Sequence, residues 1–282
     1  MTIVLKKRGR PSFAEVAARQ AVPAPVQRTD EEVLADLKER FSILGILTEG
    51  TVKKNVRAVT VTGAPGVGKT YTVEKILSNA KEKNNINYEI VRGTLSAINL
   101  YKLAYKLRKA GSVLVLDDAD SIFNDEDALN ILKGLCDSSD VRRVHWLKES
   151  QALKDDDVPQ SFEFEGAIIF ISNIDFQKFV DEGKNKYSAH FEALMSRSLY
   201  LDLRLHSKSE LGVWIEHVAQ DGHIFRREGL TSEQGNAVMS FIRTYRDDLR
   251  ELSLRTVLKT SQLVKSHDNW ENVAKILLLK NH

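Results

Sequence analysis

The sequence predicts an α/β fold with a parallel sheet, followed by a small all-helical C-terminal part. Two observations carry this. Five short β-branched or apolar runs (Ala58–Thr62, Tyr88–Val91, Val113–Leu116, Ala167–Ile171 and Leu199–Leu203) are mostly separated by stretches of helical period, and such alternation requires crossovers between parallel strands. After Leu203 no strand run is left and helical patterns take over. A run as apolar as Val113–Leu116 suits a strand buried on both faces.

The segments follow in order. Residues 1–28 hold six basic side chains (Lys6, Lys7, Arg8, Arg10, Arg19, Arg28) against one acid, Glu15, and three of the five prolines. Ser12 with Glu15 can cap a short helix, Phe13 to Gln20, and the Ala-Val-Pro-Ala-Pro-Val stretch after it reads as an extended linker. This is a basic, flexible arm. The chain totals 41 Lys and Arg against 39 Asp and Glu, so the body beyond the arm is mildly acidic. Thr29 and Glu32 form a capping box ahead of a helix containing Val33, Leu34, Leu37 and Phe41. The α/β domain is expected over residues 29–205. Ser207 with Glu210, Thr231 with Gln234 and Asp268 with Glu271 each open a helix, and Arg255 lies in another, so residues 206–282 read as a helical domain of four helices.

Composition closes off several classes. Of 282 residues, 42% are apolar and 28% charged, as in ordinary globular domains. The longest apolar run, Ala167 to Ile171, is far short of the ~20 residues of a membrane span. The N-terminus turns basic after Leu5 and lacks a secretory pattern. Cys136 is the lone cysteine, which excludes an internal disulfide and suits a reducing compartment. The expectation is a cytoplasmic protein, with no zinc site among seven scattered histidines.

Gly63-Ala64-Pro65-Gly66-Val67-Gly68-Lys69-Thr70 matches the phosphate-loop pattern G-x-x-x-x-G-K-[ST]. A strand run enters it and a helical pattern with Val73, Ile76 and Leu77 leaves it, the context the motif demands. Glycine lets the backbone wrap a phosphate without a Cβ in the way, while loop N–H groups and the helix dipole attract the anion. Lys69 is expected to reach the β- and γ-phosphates of ATP, Thr70 to ligate Mg²⁺, and Tyr71 to complete the nucleotide-binding set. The run Val113–Leu116 ends in Asp117-Asp118-Ala119-Asp120. Asp117 is placed to hold the magnesium shell, Asp118 to polarise the attacking water, and Asp120 to cap the next helix.

At this point the residues resemble the AAA+ ATPases over residues ~30–280, a P-loop NTPase core with a small helical lid. Asp117 to Phe123 resembles the family's acidic box, and Ile169-Phe-Ile-Ser-Asn173 its sensor-1 strand. Ala193-Leu-Met-Ser-Arg197 resembles the segment with the arginine finger, and Leu252-Ser-Leu-Arg255 the sensor-2 helix of the lid. The resemblance implies catalytic roles for Asp118, Asn173, Arg197 and Arg255, and a homo-oligomeric ring or spiral, a hexamer by preference, in which Arg197 serves a neighbour. Plainer readings stand beside these: Asn173 as a turn residue, Arg197 as a helix C-terminal charge, and Arg255 as a solvated or ion-paired residue with Arg250 as competitor. The sequence departs from the family twice. Asp118 stands where glutamate is usual, and no aromatic–aliphatic–glycine pore loop is visible; Tyr101 and Tyr105 read as core packing.

Val141–Leu147 and Ser161–Glu165 both alternate and predict a β-hairpin over about residues 141–165. It resembles the pre-sensor-1 hairpin of one AAA+ branch. Its acidic connection leaves only Lys148 and Lys154 for phosphate contact, so pore element and interface ornament both stay open. Lys6-Lys7-Arg8-Gly9-Arg10-Pro11 resembles a minor-groove hook for AT-rich DNA, with a generic solvated arm as the equal alternative. The texture resembles a bacteriophage or mobile-element ATPase that remodels or loads partner proteins on DNA. The alternatives are a protein-remodelling motor without nucleic acid and a slow ATP-dependent assembly switch.

Overall fold

A strand buried on both sides of a sheet has to feed two cores with alternate residues, and the central strands do so. The computed structural model describes residues 28–183, 187–205, 207–221 and 224–280. In it β1 (Ala58–Gly63), β2 (Tyr88–Arg92), β3 (Val113–Asp117), β6 (Ala167–Ser172) and β7 (Leu199–Leu203) form one parallel sheet in the order β2-β3-β6-β1-β7. Leu114, Leu116, Ile168 and Phe170 enter one core, while Val113, Val115, Ile169 and Ile171 enter the other. The α/β expectation holds, and each strand falls where its run was read, within a residue at the C-terminal end.

One face is covered by α1 (Asp30–Val52) and α2 (Lys69–Asn84), which contribute Leu44, Val73 and Leu77. Thr29 and Glu32 make the expected capping box of α1. The other face carries α3 (Ala97–Lys106), α4 (Glu126–Leu135), α6 (Phe176–Glu182) and α7 (Ser188–Arg197). Between α4 and β6 lies the expected hairpin, β4 (Arg143–His145) and β5 (Ser161–Glu163), antiparallel, with the short α5 (Gln151–Asp155) in its connection. Val144 and Phe162 face inward opposite each other while their neighbours in the two strands are exposed. Tyr101 is fully buried against Phe162 and Trp146, so the core reading of that side chain is correct.

After β7 come α8 (Lys208–Asp221), α9 (Ile224–Arg227), α10 (Ser232–Thr244), α11 (Leu254–Ser266) and α12 (Trp270–Leu278), packed around Ile215, Val238, Phe241, Ile242 and Val257. These are five helices among the described residues, one more than expected, α9 being too short to leave a periodic signal. Ser207 caps α8 and Thr231 with Gln234 boxes α10. Two caps were misread. Asp268 lies in a turn before α12, which starts at Trp270 with Asn269 at the N-cap position and no side-chain capping bond. Asp120 does not cap α4: Asp125 does, accepting from the N–H groups of Asp127 and Ala128, while Asp120 accepts from the Ser172 hydroxyl at 2.7 Å.

Arg28, last residue of the expected arm, pairs with Asp36 on α1 and Glu210 on α8. The arm's helix from Phe13 to Gln20 and its basic residues Lys6, Lys7, Arg8 and Arg10 lie outside the described residues.

Candidate functional site

The site begins where β1 stops. The loop from Ala64 to Gly68 turns back over the sheet edge through positive φ at Gly66 (+69°) and Gly68 (+108°), conformations glycine adopts without a Cβ penalty. A Cβ on Gly66 would stand 2.6 Å from the Ser253 Cβ, so the helical part also requires glycine there. Two hydrogen bonds hold the loop from that side: the Leu254 N–H donates to the Gly66 carbonyl (3.0 Å) and the Trp214 indole N–H to the Val67 carbonyl (2.9 Å). No side chain caps α2, so its first-turn N–H groups point into the loop as anion donors.

Lys69 is 5% exposed. Its ammonium donates to the carbonyls of Gly63 (2.8 Å) and Ala64 (2.9 Å) and to Asn173 Oδ1 (2.8 Å). Burial pulls its pKa down to about 8, with Asp118 and Asp117 opposing the shift and Arg255 adding to it. Asn173 Nδ2 in turn donates to Asp118 Oδ1 at 2.8 Å. Asp118 holds the left-handed region, φ +51°, which aspartate tolerates better than most residues. The Thr70 hydroxyl donates to Asp117 Oδ1 at 2.8 Å, and Arg92 Nε donates to Asp117 Oδ2 at 3.0 Å. Burial also pushes the Asp120 carboxyl upward, the Ser172 hydroxyl partly offsetting it.

These groups line one end of a cavity of about 400 Å³, within the range that holds small ligands. Pro65 to Tyr71, Asp117, Asp118, Asn173 and Arg255 all line it, and Gly63 and Ala64 serve it through the carbonyls on Lys69. The other end is apolar, walled by Phe41, Tyr71, Trp214, Val218, Leu254 and Leu258. Phe41 and Trp214 stack at 4.4 Å, and the Arg227 guanidinium sits 5.3 Å from the Tyr71 ring centroid. Polar hydrogen-bonding groups at one end and flat aromatic surface at the other suit a ligand with a phosphate chain and a planar base.

The donors fit a magnesium ion. Thr70 and Asp117 present hard oxygens side by side, and Mg²⁺ is held by one or two protein oxygens together with phosphate and water. Among the described residues no group of three or more His, Cys, Asp or Glu could hold a metal; a magnesium ion at Thr70 and Asp117 would take the rest of its shell from phosphate and water.

Of the residues expected to be catalytic, Asp118, Asn173 and Arg255 come together and Arg197 does not. Arg197 ends α7, exposed, donates to the Ala193 carbonyl at 3.0 Å, and is absent from the cavity wall. Arg250 donates instead to the Leu279 carbonyl. Sequence reasoning missed Arg92, Trp214, Phe41 as a wall residue, and Arg227. Arg92 follows directly on the second strand run, and only the strand register sets it beside Asp117.

Residues 59–148 match the model of the ATPase family associated with various cellular activities (AAA). The uncharacterized 36.7 kDa protein of the nrdC-mobD intergenic region in Enterobacteria phage T4 is 35% identical over 250 residues, covering 88% of this chain and 76% of that one. Domain III of the Thermotoga maritima replication initiation protein DnaA is 15% identical, over 84% of this chain and 90% of that one, with a TM-score of 0.46. A chain in the Drosophila ORC bound to DNA is also 15% identical, over 88% of this chain and 69% of that one, with a TM-score of 0.46. With the family match lying across the loop and acidic strand end described above, and a phage relative alike over most of both chains, this chain belongs to the AAA+ ATPases.

Proposed function

We propose that this chain hydrolyses ATP within an assembly of identical subunits, a hexameric ring or spiral, and uses the cycle to remodel or load partner proteins on DNA. The observation that supports hydrolysis best is the run of contacts Lys69–Asn173–Asp118 beside Thr70–Asp117 in one cavity. Lys69 exchanges its carbonyl acceptors for β- and γ-phosphate oxygens while the first-turn N–H groups of α2 take the rest. When bound, Mg²⁺ neutralises phosphate charge; Thr70 and Asp117 hold its shell. Asn173 fixes the Asp118 carboxylate, which accepts the proton of the attacking water. Arg255 adds positive charge from the lid, and the exposed Arg197 supplies it to the neighbour's site.

The DNA part of this reading rests on Lys6, Lys7, Arg8 and Arg10. The hairpin adds nothing to the DNA part, since Lys148 is paired with Asp127. A second reading, a slow assembly switch in the cytosol, draws on Asp118, whose carboxylate reaches one methylene less far than glutamate. ATPase rate measured against protein concentration, with and without DNA, tests the shared site and the DNA role together. A specific rate rising steeply with concentration and further with DNA is expected. A rate per subunit that is flat with dilution sinks the shared site, and stimulation by a protein partner alone removes the DNA role.

A further inference from the structure

A carboxylate that anchors a metal shell works only if its plane is held, and Asp117 is held from two sides. Thr70 takes Oδ1, and the guanidinium of Arg92 takes Oδ2 at 3.0 Å through Nε. The same guanidinium donates through its terminal nitrogen to Glu74 Oε2 at 2.8 Å. Arg92 ends β2 directly beside Asp117 in the parallel register, and Glu74 lies one helical turn beyond Thr70 on α2. The fork therefore ties the helix that carries Thr70 to the strand that carries Asp117. Asp117 is 4% exposed, while more than half of the Arg92 side chain is open to solvent, so the arginine braces the site from outside without filling the cavity.

We propose that Arg92 is a positioning residue for the metal pair: by bridging Asp117 and Glu74 it sets the angle at which Asp117 and Thr70 meet the magnesium of a bound nucleotide. The inference rests on the nucleotide reading above and deepens it. With Arg92 removed, Asp117 rotates about its terminal torsion and Oδ2 turns to bulk water. Lysine keeps the charge but has no fork, so it reaches one carboxylate at a time.

The experiment titrates Mg²⁺ into full-length protein with a fluorescent ATP analogue and reads nucleotide binding, with Mn²⁺ uptake followed separately by paramagnetic resonance. Partners that orient metal ligands are typically worth ~10–100-fold in metal affinity. Arg92→Ala is expected to raise the half-saturating Mg²⁺ concentration by about tenfold or more, with metal-free nucleotide affinity and the melting temperature unchanged. Arg92→Lys recovers part of the shift, and Glu74→Gln gives a smaller shift in the same direction; these two carry the test should Arg92→Ala fold poorly. A midpoint that does not move, or that falls because Arg92 competes with the metal, overturns the proposal and leaves the nucleotide reading intact. Parent protein that takes up no nucleotide with Mg²⁺ overturns both.

Discussion

The two ends of the cavity are built in different ways. The phosphate end is assembled from strand ends and one turn: Lys69, Thr70, Asp117, Asp118 and Asn173 all lie at the C-terminal edge of three adjacent strands or just beyond it. The apolar end comes from parts far apart in sequence, Phe41 on α1 and Trp214, Leu254 and Leu258 on the helices after β7. The first offers charge and directed hydrogen bonds, the second apolar area and ring faces. The contrast separates residues expected to act on the phosphates from residues expected to select the ligand.

The largest effect is expected at a residue belonging to neither end. Arg197→Ala should lower turnover of the assembled protein by ~10³-fold or more if it serves as a neighbour's finger, with nucleotide affinity unchanged. Unchanged turnover would return Arg197 to the role of a helix C-terminal charge. Next comes Lys69→Met, which keeps the stem and removes the ammonium. Hydrogen bonds to charged groups are worth ~1.5–3 kcal/mol, so ATP affinity should drop about 10–100-fold by calorimetry. Urea unfolding should show only a small net change in stability, because relief of the disfavoured buried charge offsets the loss of the donor to the Gly63 and Ala64 carbonyls and Asn173 Oδ1. A mutant that binds ATP like the parent would remove the phosphate end from the account.

This asymmetry also explains what the sequence made legible. The phosphate end is written in a contiguous stretch, since a turn tight enough to wrap an anion needs glycine at set spacings and a strand before it. Asp117 was visible because an apolar strand ends in a carboxylate. Phe41 and Trp214 were not, for they are residues that any core would use, and only the fold shows their rings stacked over a cavity. Arg92 was missed because an arginine at a strand end is unremarkable until strand order makes β2 the neighbour of β3. The misread cap at Asp120 failed for a related reason: Ser172, distant in sequence, takes the carboxylate that the sequence offers to the next helix.

The pH dependence tests the phosphate end through Lys69, while His217, 5.8 Å from the Trp214 ring, is pulled below the ordinary imidazole value chiefly by burial. Lys69 sits at about 8 in the folded protein against an ordinary 10.5, so it loses its proton earlier when folded than when unfolded. Between those values the unfolded chain binds more protons, and this group's contribution to stability therefore improves as pH rises. Nucleotide affinity moves the opposite way, since the neutral amine must take up a proton before it can pair with phosphate. ATP affinity is expected to fall about tenfold from pH 7 to pH 9, and Lys69→Met should abolish that slope. A slope retained in the mutant would assign the titration to another group.

The smallest effect is expected at the apolar end. Trp214→Phe keeps a ring against Phe41 but deletes the indole donor to the Val67 carbonyl, the bond by which α8 grips the phosphate loop. A buried carbonyl left without its donor costs ~1–3 kcal/mol, which the urea midpoint would register as lost stability. ATP affinity should weaken only a few-fold, because the face offered to the base persists and Lys69 and the α2 amides still hold the phosphates. Trp214→Ala, which takes the ring as well, should weaken it further. If Trp214→Phe instead matched Lys69→Met, the loop would owe its shape to the grip of α8 rather than to its own glycines. The division between a charged end and an area end would then be the wrong one to draw.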